Sequence, residues 1–577
     1  MKLLRRWKQE PAFILTLAVA LLAGLWLRCY LLMDQVYADD EWHGLYYVIG
    51  KSPFWLLTHF SIPGATCIPL NFYAWVLGAT TGWSELWLRL PSLICGILCV
   101  VIGPLLAREL IGSRRTMWLG LLLGIAPVLV FYSRVCRPYS AVAFTGFVAL
   151  LFAARWLRSG GLRPALLFAV AGVVAVYFHL FAAVTVAAPM MMVLGFLAWS
   201  RWRRGGPPVA GGPSFRQWLM VALVFVVGIA VLVLPALIHS IQSTFFTIAL
   251  AGHLSRQSLP GVVELFSGTG QPVLQALFWL LLVVGAVDQC RRNPWFGWML
   301  VSLYPLHAFA LALARPDCAQ SAIVLTRYCI PLVPVSLVLV ACGLQTVLEF
   351  LAAHANLKPV LQTMAAVAII SALALTGPLP QCYLPPNNFT NHGAYQHHYG
   401  AIDWRYSFKS GLTPADFTLN TVLRADEVSP FYASLARQPG DHPILEYPMM
   451  IGDHFNPLYY YQYFHRRPVL VGYALDVSLP RGLAAGNIYG NTYIDQVLSL
   501  VDQPSKLRFR NLLSMDDLAA MRRHGVEYVV LHKSFEAQLT GVALPLPDLK
   551  RLYDFYQTSL GKPFYEDDHV AVFHLQN

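Results

Sequence analysis

Apolar residues come in long runs through the first 378 positions, and Arg and Lys come in short clusters between them. A helix needs roughly 20 apolar residues to cross a hydrocarbon core. Eleven runs approach that length: 11–33, 88–110, 116–133, 138–157, 164–182, 183–200, 217–239, 272–289, 296–314, 328–350 and 359–378. The pattern predicts a polytopic, all-α membrane bundle of about eleven spans. The head, Met1 to Glu10, carries Lys2, Arg5, Arg6 and Lys8, which places it in the cytoplasm. Alternation then puts Arg114 and Arg115, Arg155, Arg158 and Arg163, Arg201, Arg203, Arg204 and Arg216, Arg291 and Arg292, and Lys358 on the same side. An odd number of spans puts the C-terminus outside. The stretch Cys67 to Thr81 is apolar but short, and Pro63, Gly64 and Pro69 crowd its start. Read as a twelfth span it would invert every later basic loop, so it is expected to lie along the outer interface. The long external loop 34–87 then carries interfacial aromatics such as Trp42, Tyr46, Trp55 and Trp75.

The pattern changes near residue 378. Pro378, Pro380, Pro385 and Pro386 break it, and 379–577 mixes polar and apolar residues as a soluble domain does. Strands are expected at Ile444–Tyr447, Val469–Tyr473, Tyr528–His532 and Val570–Phe573, and helices at Met515–His524 and Leu549–Leu560. The expected architecture is therefore a transmembrane module, 1–378, followed by an external (periplasmic) α/β domain, 379–577.

Composition agrees with a membrane protein. Of 577 residues, 57% are hydrophobic and only 12% charged, about half the charge of a typical soluble domain. Mean hydropathy is +0.53. The net charge of +11 reflects the loop clusters, so no nucleic-acid surface is expected. Ten cysteines are scattered without metal-ligand spacing, and read as small buried apolar residues. Cys318, Cys329 and Cys382 fall on the outer side, where one disulfide could form. The first apolar run is long enough to span, and no cleavable signal peptide is expected.

The polar residues inside this framework collect on the outer face. Just past the first span come Asp39, Asp40 and Glu41, then His43 and Lys51. Three adjacent carboxylates at a membrane boundary need water, a cation or a proton to hold them. Other outer loops bring Arg137 and Tyr139, His179, Arg256, Arg315, Arg327 and Tyr328. Carboxylates in one loop and arginines in others suit an anion-binding cleft with a base at its edge, since the guanidinium fork binds phosphate bidentately. Arg134 and Arg315, at span ends, are equally open to snorkelling toward headgroups. Arg137 is less free to snorkel, because Pro138 follows it at a helix start. A divalent cation could sit at Asp39, Asp40 and Glu41, although no other carboxylates are spaced to complete its shell, and no protein metal site is otherwise expected.

In this order, these residues resemble a family. An acidic pair in the first loop (Asp40-Glu41) precedes an external juxtamembrane helix. Arg89-Leu90-Pro91-Ser92 opens the second span and Ala107-Arg108-Glu109-Leu110 closes it. Tyr132-Ser133-Arg134, Arg137-Pro138-Tyr139-Ser140, Tyr177-Phe178-His179 and Arg327-Tyr328 follow. The series resembles the polytopic GT-C glycosyltransferases, particularly the bacterial protein O-mannosyltransferases and aminoarabinose transferases of glycosyltransferase family 39 type, over about residues 10–350. The resemblance implies transfer of a sugar, with inversion, from a polyprenyl-phosphate-linked donor to an acceptor hydroxyl on a glycan, lipid or protein. It places the reaction at the periplasmic side of a bacterial inner (plasma) membrane. An acceptor hydroxyl needs a base, and Asp40, by its position immediately outside the first span, is the candidate, with Glu41 orienting the site or its cation. Among the outer-face residues, Asp39, His43, Lys51, Arg137, Tyr139, His179, Arg256, Arg315, Arg327 and Tyr328 are the substrate-binding candidates. The sequence departs from the family in lacking a paired proline near Pro69, and its tail is not a β-trefoil.

Two other classes fit parts of the pattern. A polyprenyl-lipid or glycan transporter would show repeats or charges near span midpoints, whereas the mid-span runs here are nearly free of charge. An O-antigen ligase or polymerase would use the same donor lipids, but would carry its key arginines and histidine in a large late loop.

Overall fold

The computed structural model describes residues 11–30, 51–60, 67–81, 85–204, 212–240, 259–315, 322–355, 358–381, 429–438, 444–447, 525–533, 546–568 and 570–575, with single positions between them such as Leu32, Glu41, Val48 and Arg467. Contacts divide the chain into two units. One comprises Met1–Leu32, Gly50–Gln381 and His392–His398; the other comprises Met33–Ile49, Cys382–Asn391 and Tyr399–Asn577.

The described helices of the first unit are α1 (Pro11–Cys29), α2 (Pro53–Thr58), α3 (Ile68–Thr80), α4 (Glu85–Ile111), α5 (Ser113–Ile125), α6 (Pro127–Ser133), α7 (Tyr139–Ser159), α8 (Leu162–Phe178), α9 (Ala183–Arg204), α10 (Phe215–Leu232), α11 (Leu234–His239), α12 (Leu259–Ser267), α13 (Pro272–Arg292), α14 (Pro294–Ala314), α15 (Ala322–Tyr328), α16 (Leu332–Ala355), α17 (Pro359–Leu375) and α18 (Pro378–Gln381). Each of the eleven expected spans coincides with a helix or a helix pair, but they differ in kind. Among the described residues, eight helices are long and apolar enough to cross a membrane, and the bent pair α5–α6 raises this to nine. α8 and α17 are shorter apolar helices. The expected spans at 164–182 and 359–378 are thus each cut to 17 residues, about 26 Å of helix. α3, at 13 residues, is too short to cross, in keeping with its interfacial reading.

Local chemistry explains the breaks. Pro127 has no N–H to donate to Leu123, and its ring pushes Ala126 out of the helical region, to φ −59°, ψ 118°. The chain bends by 53° there. The carbonyls of Leu123 and Gly124, stranded by that bend, accept instead from the guanidinium of Arg28, at 3.2 and 2.8 Å. Arg28, at the end of α1, is fully buried. A positive group at a helix C-terminus also meets the favourable end of the macrodipole.

The centre of the bundle is made by close backbone approach. Where α13 crosses α16, a Cβ added to Gly285 would run into the carbonyl oxygen of Leu339, and one added to Gly343 into that of Leu281. Small residues replace side-chain packing where helices touch in lipid. Gly343→Ala is expected to cost about 1–3 kcal/mol through overpacking, read as a lower melting temperature of the purified protein. An unchanged value would mean that the two helices do not approach this closely. At the end of the bundle that carries the Arg-rich loops, Arg115 lies 3.6 Å from Asp288 and 3.5 Å from Glu349, and Arg292 bridges the same two carboxylates. This network ties α5, α13 and α16 together. The buried Trp118 indole adds a hydrogen bond to Gln345, 2.9 Å.

The second unit contains a four-stranded sheet in the order β1-β2-β4-β3, with β1 Ile444–Tyr447, β2 Tyr528–His532, β3 Tyr565–Glu566 and β4 Val570–His574. β1 and β2 run parallel, and the other pairs are antiparallel. Val529, Val530, Val572 and Phe573 are buried on both faces of the central strands. α19 (Pro430–Arg437) and α20 (Leu546–Leu560) contribute Phe431, Tyr432, Leu435 and Tyr556 to the core. Three expected strands and one expected helix are present. The expected strand at Val469–Tyr473 lies outside the described residues, as does most of the expected helix at Met515–His524.

Candidate functional site

The link between α6 and α7 carries two arginines with different tasks. Arg134 is fully buried and donates to the carbonyls of Leu27, Arg28 and Tyr30 at 2.8–3.0 Å. It therefore caps α1 and does not snorkel toward headgroups, as a span-end arginine is otherwise free to do. Arg89, also fully buried, donates to the carbonyl of Leu32 at 3.0 Å. Together they fix the point from which the acidic loop departs.

Arg137 turns the other way. Its carbonyl accepts from Ser92 Oγ at 2.9 Å, and Ser140 Oγ donates to the carbonyl of Ser92 at 2.8 Å. These bonds pin the start of α7 to α4, at the level where Arg89-Leu90-Pro91-Ser92 opens that helix. Pro138 presets the first turn, and Tyr139 follows, 2% exposed. The Arg137 guanidinium lies over the Tyr139 ring, 5.8 Å to its centroid. Arg327, from α15, lies 5.7 Å from the same centroid and 5.3 Å from that of Tyr328. Two cations thus share one aromatic ring.

His179 closes the cluster. α8 stops at Phe178 and His179 is extended, φ −161°, ψ 124°, before a single 3-10 turn at Leu180–Ala182. Its Nδ1 accepts from the Phe181 N–H at 3.2 Å, so Nδ1 carries the lone pair and Nε2 carries the hydrogen. Nε2 is buried, with no hydrogen-bond partner among the described residues. The ring sits 5.8 Å from that of Tyr139 and 6.0 Å from that of Tyr328, and both Arg137 and Arg327 bear on it electrostatically.

Five sequence candidates therefore meet: Arg137, Tyr139, His179, Arg327 and Tyr328. Others do not. Lys51 is exposed and lies 4.7 Å over the Trp55 ring of α2. Arg315 is exposed at the end of α14, at φ 40°. Glu41 is fully buried and belongs to the second unit. Asp39, Asp40, His43 and Arg256 lie outside the described residues. Among the described residues no group of three or more His, Cys, Asp or Glu side chains gathers to hold a metal ion; two of the three positions expected to hold a cation, Asp39 and Asp40, are outside them. Cys329 is a free thiol, and Cys318 and Cys382 are outside the described residues.

The sequence left several neighbours unmarked. Tyr132 packs edge-on against Tyr139 at 4.7 Å. Phe181 packs edge-on against Tyr328 at 5.7 Å. Cys67, buried at the start of α3, lies close enough to Arg137 to feel its charge. In the sequence Phe181 is indistinguishable from the apolar residues around it, and no local signal selects it; Tyr132 stands in the Tyr132-Ser133-Arg134 motif, but nothing there pairs it with Tyr139.

A bundle of membrane-length helices with a buried cluster of arginine, tyrosine and histidine at one end defines a polytopic membrane protein with a cationic, ring-lined head. No protein-family model matches the sequence, and no curated protein matches it. Solved structures do. The chain is similar to ArnT from Cupriavidus metallidurans in the apo state, with a TM-score of 0.52 at 16% identity over 98% of each chain. It is likewise similar to the same enzyme bound to undecaprenyl phosphate, with a TM-score of 0.52 at 15% identity over 98% of each chain. The archaeal oligosaccharyltransferase AglB from Archaeoglobus fulgidus aligns more loosely, with a TM-score of 0.46 at 14% identity, over 94% of this chain and 72% of that one. The chain has the GT-C fold, as its ordered motifs lead one to expect.

Proposed function

We propose that this protein is a membrane glycosyltransferase that transfers a sugar from a polyprenyl-phosphate-linked donor to an acceptor hydroxyl, with inversion, at the outer face of a bacterial inner membrane. The observation that carries this reading is the meeting of Arg137, Arg327 and the Nε2–H of His179 around Tyr139 and Tyr328. A buried cation, a half-buried one and a buried N–H at one point suit a group that is anionic and only accepts hydrogen bonds. Phosphate is such a group, and the fold is one in which ArnT binds undecaprenyl phosphate.

The chemistry asks little more. The acceptor oxygen attacks the anomeric carbon while the bond from that carbon to the phosphate oxygen breaks. The electron pair leaves on phosphate, whose charge the two guanidiniums offset and to which the uncharged His179 donates a hydrogen bond from Nε2. The proton of the acceptor hydroxyl passes to a carboxylate, here Asp40, with Glu41 orienting it. A divalent cation held by Asp39, Asp40 and Glu41 is compatible with this scheme and would add charge stabilisation. His43, Lys51, Arg256 and Arg315 remain contacts for the remainder of the substrates.

The direct test is transfer in membranes containing the overexpressed protein, supplied with undecaprenyl phosphates carrying radiolabelled sugars. Label should leave the lipid only in membranes that contain the intact Asp40 and Arg137. Equal release from membranes lacking the protein would remove the reading.

A further inference from the structure

His307 lies in α14, three residues past the midpoint of an apolar helix, and is 1% exposed. Its Nδ1 is 2.9 Å from the carbonyl of Leu303, one turn back. A carbonyl only accepts, so Nδ1 carries the hydrogen and the uncharged ring presents a bare lone pair on Nε2. That atom is buried and has no hydrogen-bond partner among the described residues. Buried polar atoms in native proteins almost always find a partner, and leaving one without is costly.

The surroundings say where that partner would come from. The His307 ring is 6.2 Å from that of Phe181, Phe181 is 5.7 Å from Tyr328, and Tyr328 is 6.0 Å from His179. A continuous row of rings thus joins two orphaned imidazole nitrogens. The two have opposite polarity. His179 offers Nε2–H, beside two guanidiniums, and can satisfy an anion. His307 offers an acceptor, with no charged neighbour among its described contacts. The donor's phosphodiester, which bears no hydrogen when ionised, satisfies the first and cannot satisfy the second. A hydroxyl or amine can satisfy the second.

We propose that His307 binds a hydroxyl or amino group of the sugar carried by the lipid donor, and so helps select glycosylated over sugar-free lipid. This rests on the donor-binding function proposed above. Phe181 and Tyr328, between the two histidines, supply the ring faces on which a sugar's C–H groups pack, while the phosphate stays at the His179 end.

The test is binding by the full-length protein in nanodiscs. The probes are undecaprenyl phosphate and a set of undecaprenyl phosphates carrying glucose, mannose, galactose or aminoarabinose. The wild type should bind at least one glycosylated lipid more tightly than undecaprenyl phosphate. His307→Phe should bind undecaprenyl phosphate as the wild type does, which also shows that it folds, and should lose about tenfold on the preferred glycosylated lipid. His307→Gln, which keeps an acceptor oxygen, should recover part of the loss. Arg137→Ala should weaken both probes together. A His307→Phe protein with undiminished preference overturns the inference alone, as does a wild type with no preference for any glycosylated lipid. A wild type that binds none of the lipids overturns the donor reading, and this inference falls with it.

Discussion

Asp40→Asn is expected to abolish transfer, by a factor of about 100 to 10,000 in rate, while leaving binding of the donor lipid nearly unchanged. The substitution keeps the size of the side chain and removes the basic lone pair. The hypothesis is motivated by the place of Asp40 in the chain, a few residues past the point where Arg89 and Arg134 fasten the end of α1. Its neighbour Glu41 is a carboxylate fully withdrawn from solvent, which a chain does not tolerate without cause. Transfer and donor binding should be measured on the same membranes. Full transfer by Asp40→Asn would sink the assignment and make Asp39 the next candidate. Loss of both transfer and binding would point to a fold defect or a cation site rather than a base.

The second large effect is expected at the clamp. Arg137→Ala and Arg327→Ala should each weaken binding of undecaprenyl phosphate by about 3–5 kcal/mol, by analogy with removing one partner of a buried charge pair. This corresponds to a loss of two to three orders of magnitude or somewhat more in affinity. Lys at either position should rescue only in part, because an ammonium lacks the planar fork and stacks less well on Tyr139. Because both guanidiniums share that ring, the double substitution should cost less than the sum of the singles. Titration of tryptophan fluorescence with undecaprenyl phosphate would measure this. If both Ala variants bind as the wild type does, the phosphate lies elsewhere, with Arg256 and Arg315 the alternatives.

The parts of the fold that could be read from the sequence are those imposed by the solvent. A backbone in lipid must satisfy its own hydrogen bonds, so every long apolar run had to be largely helical, and among the described residues every one is. The strands at Ile444–Tyr447 and Tyr528–His532 were legible for a similar reason, as short β-branched and aromatic runs between polar stretches. The breaks were harder. Pro127 announces one chemically, yet it sits in a run otherwise apolar enough to read as unbroken. At His179 a single extended residue ends α8 four residues before the expected end; the histidine marks the join of two apolar runs, but with almost no connector between them the pattern does not fix where the first one stops. α19, with eight residues, was too short for its period to register.

The site was legible as residue types but not as partners. Arg134 and Arg137, three positions apart in one polar link, look alike in sequence. Only the tertiary structure separates them, one spent on the carbonyls of α1 and the other beside Tyr139. His307 could not have been found at all. Its importance lies in a lone pair left over after Nδ1 is used, and that depends on which rings surround it.

The division of labour within this link sets its length. Arg134 holds the end of α1, and Arg137 and Tyr139 hold the clamp, so the few bonds between them act as a gauge block separating two machined faces. Such a part tolerates a change of material better than a change of dimension. One glycine inserted after Val135 should be as harmful to binding of undecaprenyl phosphate as loss of Arg137 itself, whereas Cys136→Ala should leave binding close to wild type, a contrast that a single titration series would reveal. The spacing of the two arginines, more than the identity of what lies between them, is then what any working descendant of this chain has to inherit.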